Sequence, residues 1–138
     1  MIYAVIDTNV FISALITKNK DSATIKIYEA IADGKITPLY HMDILSEYNE
    51  VLHRKKFGFS DEKIQRLLNM IVKYGIEVYP EATGEMLVDM DDLIFYEVAM
   101  KKRDKGSYLI TGNLKHFPVK NFIVTPAEMI TILDNMRK

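Results

Sequence analysis

Short apolar runs alternate along this chain with longer segments of helical periodicity, and this alternation limits the possible folds more than any other feature. The runs resemble strands buried on both faces because they are rich in β-branched and aromatic residues. They are Ile2 to Ile6, Ile36 to Tyr40, Ile76 to Tyr79, Ser107 to Thr111 and Phe122 to Val124. Strands separated by helices of this length need crossover connections, which make a sheet parallel. We therefore predict an α/β fold with three layers, in which helices flank a central parallel sheet of four to five strands.

The helical segments have recognisable ends. Ser60 is a predicted N-cap, followed by a helix that stops at Gly75. Thr125 to Glu128 is a predicted capping box, and it opens a helix whose Met129, Leu133 and Met136 are expected to face inward. The other predicted helices run from Asn9 to Ile16, from Ser22 to Asp33, around Leu45 to Leu52, and from about Asp91 to Lys102.

Length and composition restrict the class of protein. A chain of 138 residues can bury a core without disulfides or structural metals, so we expect a single domain over residues 1–138. The sequence has no cysteine, which excludes thiol catalysis and cysteine-ligated zinc. A net charge of -1 excludes a broadly basic nucleic-acid coat but allows local basic patches. The apolar stretches are too short to span a membrane and no secretory signal precedes the first strand, so we expect a cytoplasmic protein.

Two polar residues directly follow predicted strands. Asp7 ends the first strand and Asn113 comes shortly after the fourth, beyond Gly112. Ligands of parallel sheets bind outside the carboxyl ends of the strands, so both residues are candidates for a functional site. Ordinary structural roles are also open, since Asp7 could cap the next helix and Asn113 could simply form a turn.

Two further acidic positions lie on or before predicted helices. Glu47 borders the apolar face of its helix, although a surface carboxylate is an alternative and Glu50 competes with it. The segment Asp89 to Asp92 places three carboxylates in four residues before a helix. One of these carboxylates would complement the dipole of the helix that follows. The mutual repulsion of all three would be relieved by a nearby cation, or by water if the loop is fully solvated.

In this order and spacing, these segments resemble the PIN-domain nucleases, most closely the toxin components of toxin–antitoxin systems. The resemblance covers nearly the whole chain. The segments that carry it are Val5 to Val10, Ile44 to Tyr48 with Val51 and Leu52, Asp89 to Asp92 with Ala99, Leu109 to Asn113, and Ile123 to Pro126.

The resemblance implies a metal-dependent endoribonuclease whose metal ligands and catalytic residues are Asp7, Glu47, Asp92 and Asn113. Asp92 is preferred to Asp91 because the apolar and small residues of the family pattern follow it at the expected spacing, as Phe95 and Ala99. Many PIN domains have Asp at the fourth position. Asn113 departs from that pattern and has one negative charge less, which puts the binding of a second metal ion in question. The resemblance also implies an RNA substrate, a cognate antitoxin protein and self-association. Thr8, Asn9 and Lys115 are the candidate substrate-binding residues.

The chemistry of these residues agrees with that assignment. Carboxylate and amide oxygens suit Mg²⁺ or Mn²⁺, whereas zinc is disfavoured. Cations that could contact RNA occur at His53 to Lys56, Lys101 to Arg103, and Lys115 to His116, although such residues also complement helix C-termini. The three histidines are scattered and predict no general base. Phe and Tyr sit mostly at core spacing, so no stacking surface is predicted.

Two other functions are compatible with parts of the pattern. A haloacid-dehalogenase-like phosphatase would also have an Asp after its first strand, but Asn9 occupies the place of its second acid. A PIN-like module that binds RNA or protein without turnover is the stronger alternative, because Asn113 removes one negative charge from the site.

Overall fold

The computed structural model describes residues 1–136 and contains a five-stranded sheet in the order β3-β2-β1-β4-β5. Every neighbouring pair of strands is parallel. The strands are β1 (Ile2–Ile6), β2 (Ile36–Tyr40), β3 (Ile76–Glu77), β4 (Tyr108–Ile110) and β5 (Ile123–Val124). The predicted parallel α/β sheet is therefore confirmed.

Six α-helices flank this sheet within the described residues. They are α1 (Thr8–Ile16), α2 (Ala23–Ala32), α3 (Met42–Leu52), α4 (Asp61–Tyr74), α5 (Leu93–Lys101) and α6 (Pro126–Asn135). Helix α5 packs across β1, β2 and β4, whereas α2 and α4 pack on β2 and against each other. Helix α3 contacts α1, α4 and α5, which brings it close to the end of β1.

Strand β1 occupies the centre of the sheet because it is apolar throughout its second half. Ala4, Val5 and Ile6 are completely buried. The register pairs Ile6 with Ile110 of β4, and the Asp7 N–H then donates to the Ile110 carbonyl at 2.9 Å. The carboxyl ends of β1 and β4 are therefore level, and the residues that follow these two strands lie side by side.

The predicted helix ends are present as hydrogen-bonded caps. The Ser60 hydroxyl accepts a bond from the Lys63 N–H at 3.1 Å. Thr125 and Glu128 form the reciprocal capping box, with bonds of 2.9 and 3.1 Å between each side chain and the other residue's N–H. These caps satisfy amides that have no partner inside their own helix.

Two details of the prediction are wrong. Strand β3 ends at Glu77, not at Tyr79, whose side chain is 67% exposed. The reason is that Val78 already donates to the last residue of β2, Tyr40, at 2.6 Å, so the neighbouring strand offers no further pairing. Met136 does not face inward but is 55% exposed, because it follows the last residue of α6 and borders an open cleft beside Met1.

None of the helices in residues 1–136 is both long enough and apolar enough to span a membrane.

Candidate functional site

Asp7 is the most deeply placed carboxylate of the site, with only 5% of the residue exposed. Its Oδ2 accepts a 2.7 Å hydrogen bond from the Thr111 hydroxyl, which lies at the end of β4. Asp7 holds the N-cap position of α1, yet its side chain completes no capping hydrogen bond to that helix. The strongest hydrogen bond that orients its carboxylate therefore comes from the neighbouring strand end.

The pKa of Asp7 is raised above the usual range for an aspartate because burial disfavours the charged form. The Thr111 hydroxyl opposes this shift most strongly, and the Asn9 amide, His116 and the Thr8 amide oppose it further. The two amides lie near enough to act electrostatically without completing a cap. A buried carboxylate with a raised pKa at a strand end is a candidate functional group.

Glu47 approaches the same region from α3. Its Oε2 accepts a hydrogen bond from the Thr8 hydroxyl, directly after Asp7 in the chain. Burial raises the pKa of Glu47, Thr8 partly offsets that shift, and the negative charges of Asp7, Asp92 and Asp91 raise the pKa further. The Glu47 carboxyl group is thus part of one electrostatic site with Asp7 and Asp92.

Tyr48 fixes α3 against the end of β1. Its ring is buried, and its hydroxyl donates to the carbonyl oxygen of Ile6, the residue before Asp7. The ring also makes an edge-to-face contact with Phe11 of α1, with centroids 5.2 Å apart. Since Tyr48 is adjacent to Glu47, this anchoring also fixes the position of the Glu47 backbone, from which its carboxylate extends toward Thr8.

Asp92 ends a 3-10 helix that runs from Met90 to Asp92, just before α5. Its side chain is 17% exposed. Burial raises the pKa of Asp92, and so do the charges of Asp7 and Asp89, while His116 lowers it. Asp89 instead accepts the Asp91 N–H at 3.0 Å, so it closes the local turn.

His116, predicted only as one of the cations that could contact RNA, lies within the acidic site itself. Its Nδ1 lies 3.3 Å from Oδ2 of Asp92, and its proximity also lowers the pKa of Asp7. The three histidines are scattered along the sequence, so this contact of His116 with the acidic site was not predicted. A usable signal was its position three residues after Asn113, which one turn of the 3-10 helix Leu114–His116 brings back toward the sheet edge.

The other predicted site residues surround this centre at different depths. Asn113 is exposed, and its N–H donates to the Thr111 hydroxyl oxygen at 2.9 Å. Thr8 is buried, whereas Asn9 and Lys115 are exposed. Thr111 is fully buried and joins Asp7 to Asn113, a link that the sequence analysis did not anticipate because Thr111 reads as an ordinary strand residue.

The donor chemistry of the site fits a hard divalent ion. Asp7, Glu47 and Asp92 supply oxygen donors and destabilise one another's charged forms, a cost that a cation would relieve. Within residues 1–136, no group of three acidic, histidine or cysteine side chains is already arranged to hold a metal. Binding an ion through all three carboxylates would therefore require their side chains to rearrange, and Oε1 of Glu47 could bind it while Oε2 keeps its bond to Thr8.

An open groove of about 380 Å³ runs from the site along α3. It lies between this helix and the segment that carries Asp92. The residues that line it are Asp43, Ser46, Glu47, Glu50, Val51, Arg54, Met90, Asp91 and Ile94. The groove gives an extended ligand a path from Glu47 toward the C-terminal end of α3.

Comparison with known proteins agrees with this arrangement. Residues 3–115 match the sequence model of the PIN domain family. The chain is also 30% identical, over 141 aligned positions, to an uncharacterized protein of Methanocaldococcus jannaschii, and the alignment covers 94% of this chain and 90% of the relative. The family match includes β1, α3, α5 and β4, which are the elements that carry or flank the acidic site. This chain therefore belongs to the PIN-domain family, whose members are generally nucleases.

Proposed function

We propose that this protein is a metal-dependent endoribonuclease that hydrolyses phosphodiester bonds in RNA. The observation that supports this most strongly is the electrostatic coupling of Asp7, Glu47 and Asp92 at the carboxyl end of β1. Structural carboxylates are normally solvated or paired with cations, whereas these three lie together in a partly buried site.

Asp7, Glu47, Asp92 and Asn113 would hold Mg²⁺ or Mn²⁺ in this proposal. The bound ion would polarise the phosphodiester and lower the pKa of the attacking water. Asn113 offers an amide oxygen without a charge, so a second ion would bind more weakly there than beside an aspartate.

The surrounding side chains have supporting roles. Thr111 and Thr8 donate to Asp7 and Glu47, so each hydroxyl orients one carboxylate. His116 contacts Asp92 and is a candidate for orienting it. Thr8, Asn9 and Lys115 are the proposed substrate-binding residues, and the exposed Lys115 is the one best suited to approach a phosphate.

The decisive test is cleavage of labelled RNA by purified protein, with Asp7→Asn as the control. We expect cleavage in Mg²⁺ or Mn²⁺, none in excess EDTA, and a loss of more than about 100-fold in the variant, because even outer-shell substitutions commonly cost 10–100-fold. Asn retains an oxygen that can accept the Thr111 hydrogen bond, so the fold should persist. Equal cleavage by both proteins would refute the catalytic assignment.

A second candidate is a PIN-like module that binds RNA or protein without cleaving it. Asn113 favours this alternative, because it removes one charge from the edge of the acidic site. A protein that binds RNA but shows no metal-dependent cleavage under any tested ion would support this second function.

We further propose that the protein is the toxin of a toxin–antitoxin pair. In this narrower proposal it acts in the cytoplasm, self-associates and is bound by a cognate antitoxin. It rests on the resemblance to PIN-family toxins. Induced expression should arrest growth, an Asp7→Asn variant should not, and co-expression of the neighbouring reading frame should relieve the arrest. Growth that is unaffected by the active protein would contradict the toxin role but not the ribonuclease activity.

A further inference from the structure

A basic and aromatic surface lies where α3 connects to α4. Its centre is the ring pair of Phe57 and Phe59, which stack with centroids 5.6 Å apart and planes 11° from parallel. Lys56 lies 5.1 Å from the Phe57 ring centroid, and Lys63 lies 5.9 Å from that of Phe59. We call these four residues the aromatic ledge. Both rings are only partly buried, so part of their surface is open to solvent.

The ledge carries positive charge that its acidic neighbours leave unneutralised. Of these neighbours, Asp61 is within hydrogen-bond distance of His53, at 3.1 Å, and Glu62 pairs with Arg66 at 3.0 Å, so neither pairs with a lysine of the ledge. Among the described residues, Lys56 and Lys63 enter no ion pair. Lys55, which precedes the ledge, is also exposed and adds a further cation. A ligand with negative charge and flat rings would match both properties of this surface.

The groove beside α3 joins the ledge to the acidic site. It runs along α3 from Asp43 past Glu47 to Arg54, the residue before the 3-10 helix Lys55–Phe57. Glu47 lies five residues before Leu52, the last residue of α3, which corresponds to about 8 Å of helix, and Arg54 follows two residues later. One extended strand of nucleic acid could therefore contact the ledge and reach Glu47, with a bound cation offsetting the carboxylates that line the groove, which are Asp43, Glu47, Glu50 and Asp91.

We propose that the aromatic ledge binds unpaired bases of a single-stranded RNA by stacking, with the lysines contacting its phosphates. This inference rests on the proposed ribonuclease function and adds a substrate-binding surface to it. RNA fits better than a protein partner because stacked rings and unpaired cations recognise bases and phosphates together. The ledge holds the strand at a distance from the chemistry, so it determines affinity and not the cleavage step itself.

The test is binding of a fluorescein-labelled single-stranded RNA, measured by anisotropy in EDTA so that cleavage cannot occur. The variants Phe57→Leu and Phe59→Leu keep apolar volume but remove the ring face. We expect each to weaken binding by about 5- to 100-fold, the range typical of losing one stacked aromatic. The matched control is Tyr74→Leu, since Tyr74 is an exposed ring with Lys73 at 5.2 Å at the far end of α4. We expect it to bind like the unmodified protein.

The exposed Lys56→Ala variant tests the same surface without disturbing the core. It should weaken binding and reduce the dependence of affinity on salt by about one counterion. Unchanged affinity in Lys56→Ala and in both phenylalanine variants would overturn the proposal. So would an equal loss for duplex RNA, since stacked bases in a duplex are not available to the rings.

Two outcomes separate this inference from the proposed function. If the unmodified protein binds single-stranded RNA through the ledge but never cleaves it, the ledge stands and the ribonuclease proposal fails. If it cleaves RNA while the ledge variants keep full affinity, the ribonuclease proposal stands and the ledge fails. The proposal would also be overturned if the ledge variants lost self-association in sedimentation experiments while their affinity for RNA stayed unchanged. That result would identify the ledge as a protein interface.

Discussion

The Thr111 hydroxyl donates a 2.7 Å hydrogen bond to the Asp7 carboxylate and accepts one of 2.9 Å from the Asn113 N–H. One fully buried side chain thus couples the ends of β1 and β4 and orients the most deeply placed acid of the site. Because Asp7 is itself buried, this donor stabilises a charge that water cannot fully solvate.

Replacing Thr111 by Val should expose the importance of this hydroxyl. Val has nearly the same shape, so the main loss is the donor to Asp7 and the acceptor for Asn113. We expect the free energy of unfolding at neutral pH to fall by about 1–3 kcal/mol, measured by urea denaturation. Thr111→Ser should recover most of the loss. A Val variant as stable as the unmodified protein would show that the bond contributes little.

Asp7→Asn should stabilise the metal-free protein at neutral pH. Folding raises the pKa of Asp7 above its ordinary value of 3.8. The folded state therefore binds more protons than the unfolded state as pH rises from that value through the folded pKa, and stability falls across this window. An Asn has no such dependence, so the variant should gain a few tenths to about 1 kcal/mol near pH 7 and nothing near pH 3. Urea denaturation in EDTA at several pH values measures the difference, and a pH-independent difference would contradict the prediction.

Asn113→Asp should strengthen the response to metal if Asn113 is a weak ligand of a second ion. An added carboxylate contributes charge as well as an oxygen, so activity should saturate at lower Mg²⁺. If Asn113 only forms the turn after Gly112, the two titration curves should coincide, because such turns accept Asp and Asn alike. Titration of RNA cleavage against Mg²⁺ for both proteins distinguishes the two roles.

Divalent ions should raise the melting temperature of the protein through Glu47. An ion that binds only the folded state at 100 times its dissociation constant adds about 2.7 kcal/mol of stability. Glu47→Gln should lose most of this effect, whereas Glu50→Gln, an exposed position on the same helix, should keep it.

Crystals soaked in Mn²⁺ should show an anomalous peak between Asp7, Glu47 and Asp92. A peak elsewhere would contradict the proposed ligands.

Most of the fold could be predicted from the sequence because short stretches of residues indicate where strands and helices begin. The β-branched run from Ile2 to Ile6 predicts a buried strand, and Thr125 to Glu128 predicts the start of α6. The predictions that are wrong concern residues whose structure depends on the surrounding elements and not on their own sequence pattern. Tyr79 continues an apolar run, but the strand ends earlier because β2 stops at Tyr40 and the chain turns into α3. Met136 has inward spacing but lies beyond the end of its helix.

The site was predictable only in part for the same reason. Asp7 and Asn113 could be selected because they follow strands that end at one edge of a sheet. The contact between His116 and Asp92 depends on how a 3-10 helix turns, and the bond from Thr111 depends on exact strand register. The register leaves no pattern in a single sequence, and the turn is marked only by the three-residue spacing of Asn113 and His116. The stacking of Phe57 on Phe59 likewise depends on the path of the loop after α3.

The bond between Thr111 and Asp7 joins residues 104 positions apart. During synthesis, β1 leaves the ribosome long before its neighbour β4 has been made. A nascent chain that ends before residue 111 cannot orient Asp7 in this way, and closing so long a loop is a slow step in folding. The orientation that Thr111 gives to Asp7 is therefore available only after most of the chain has been made.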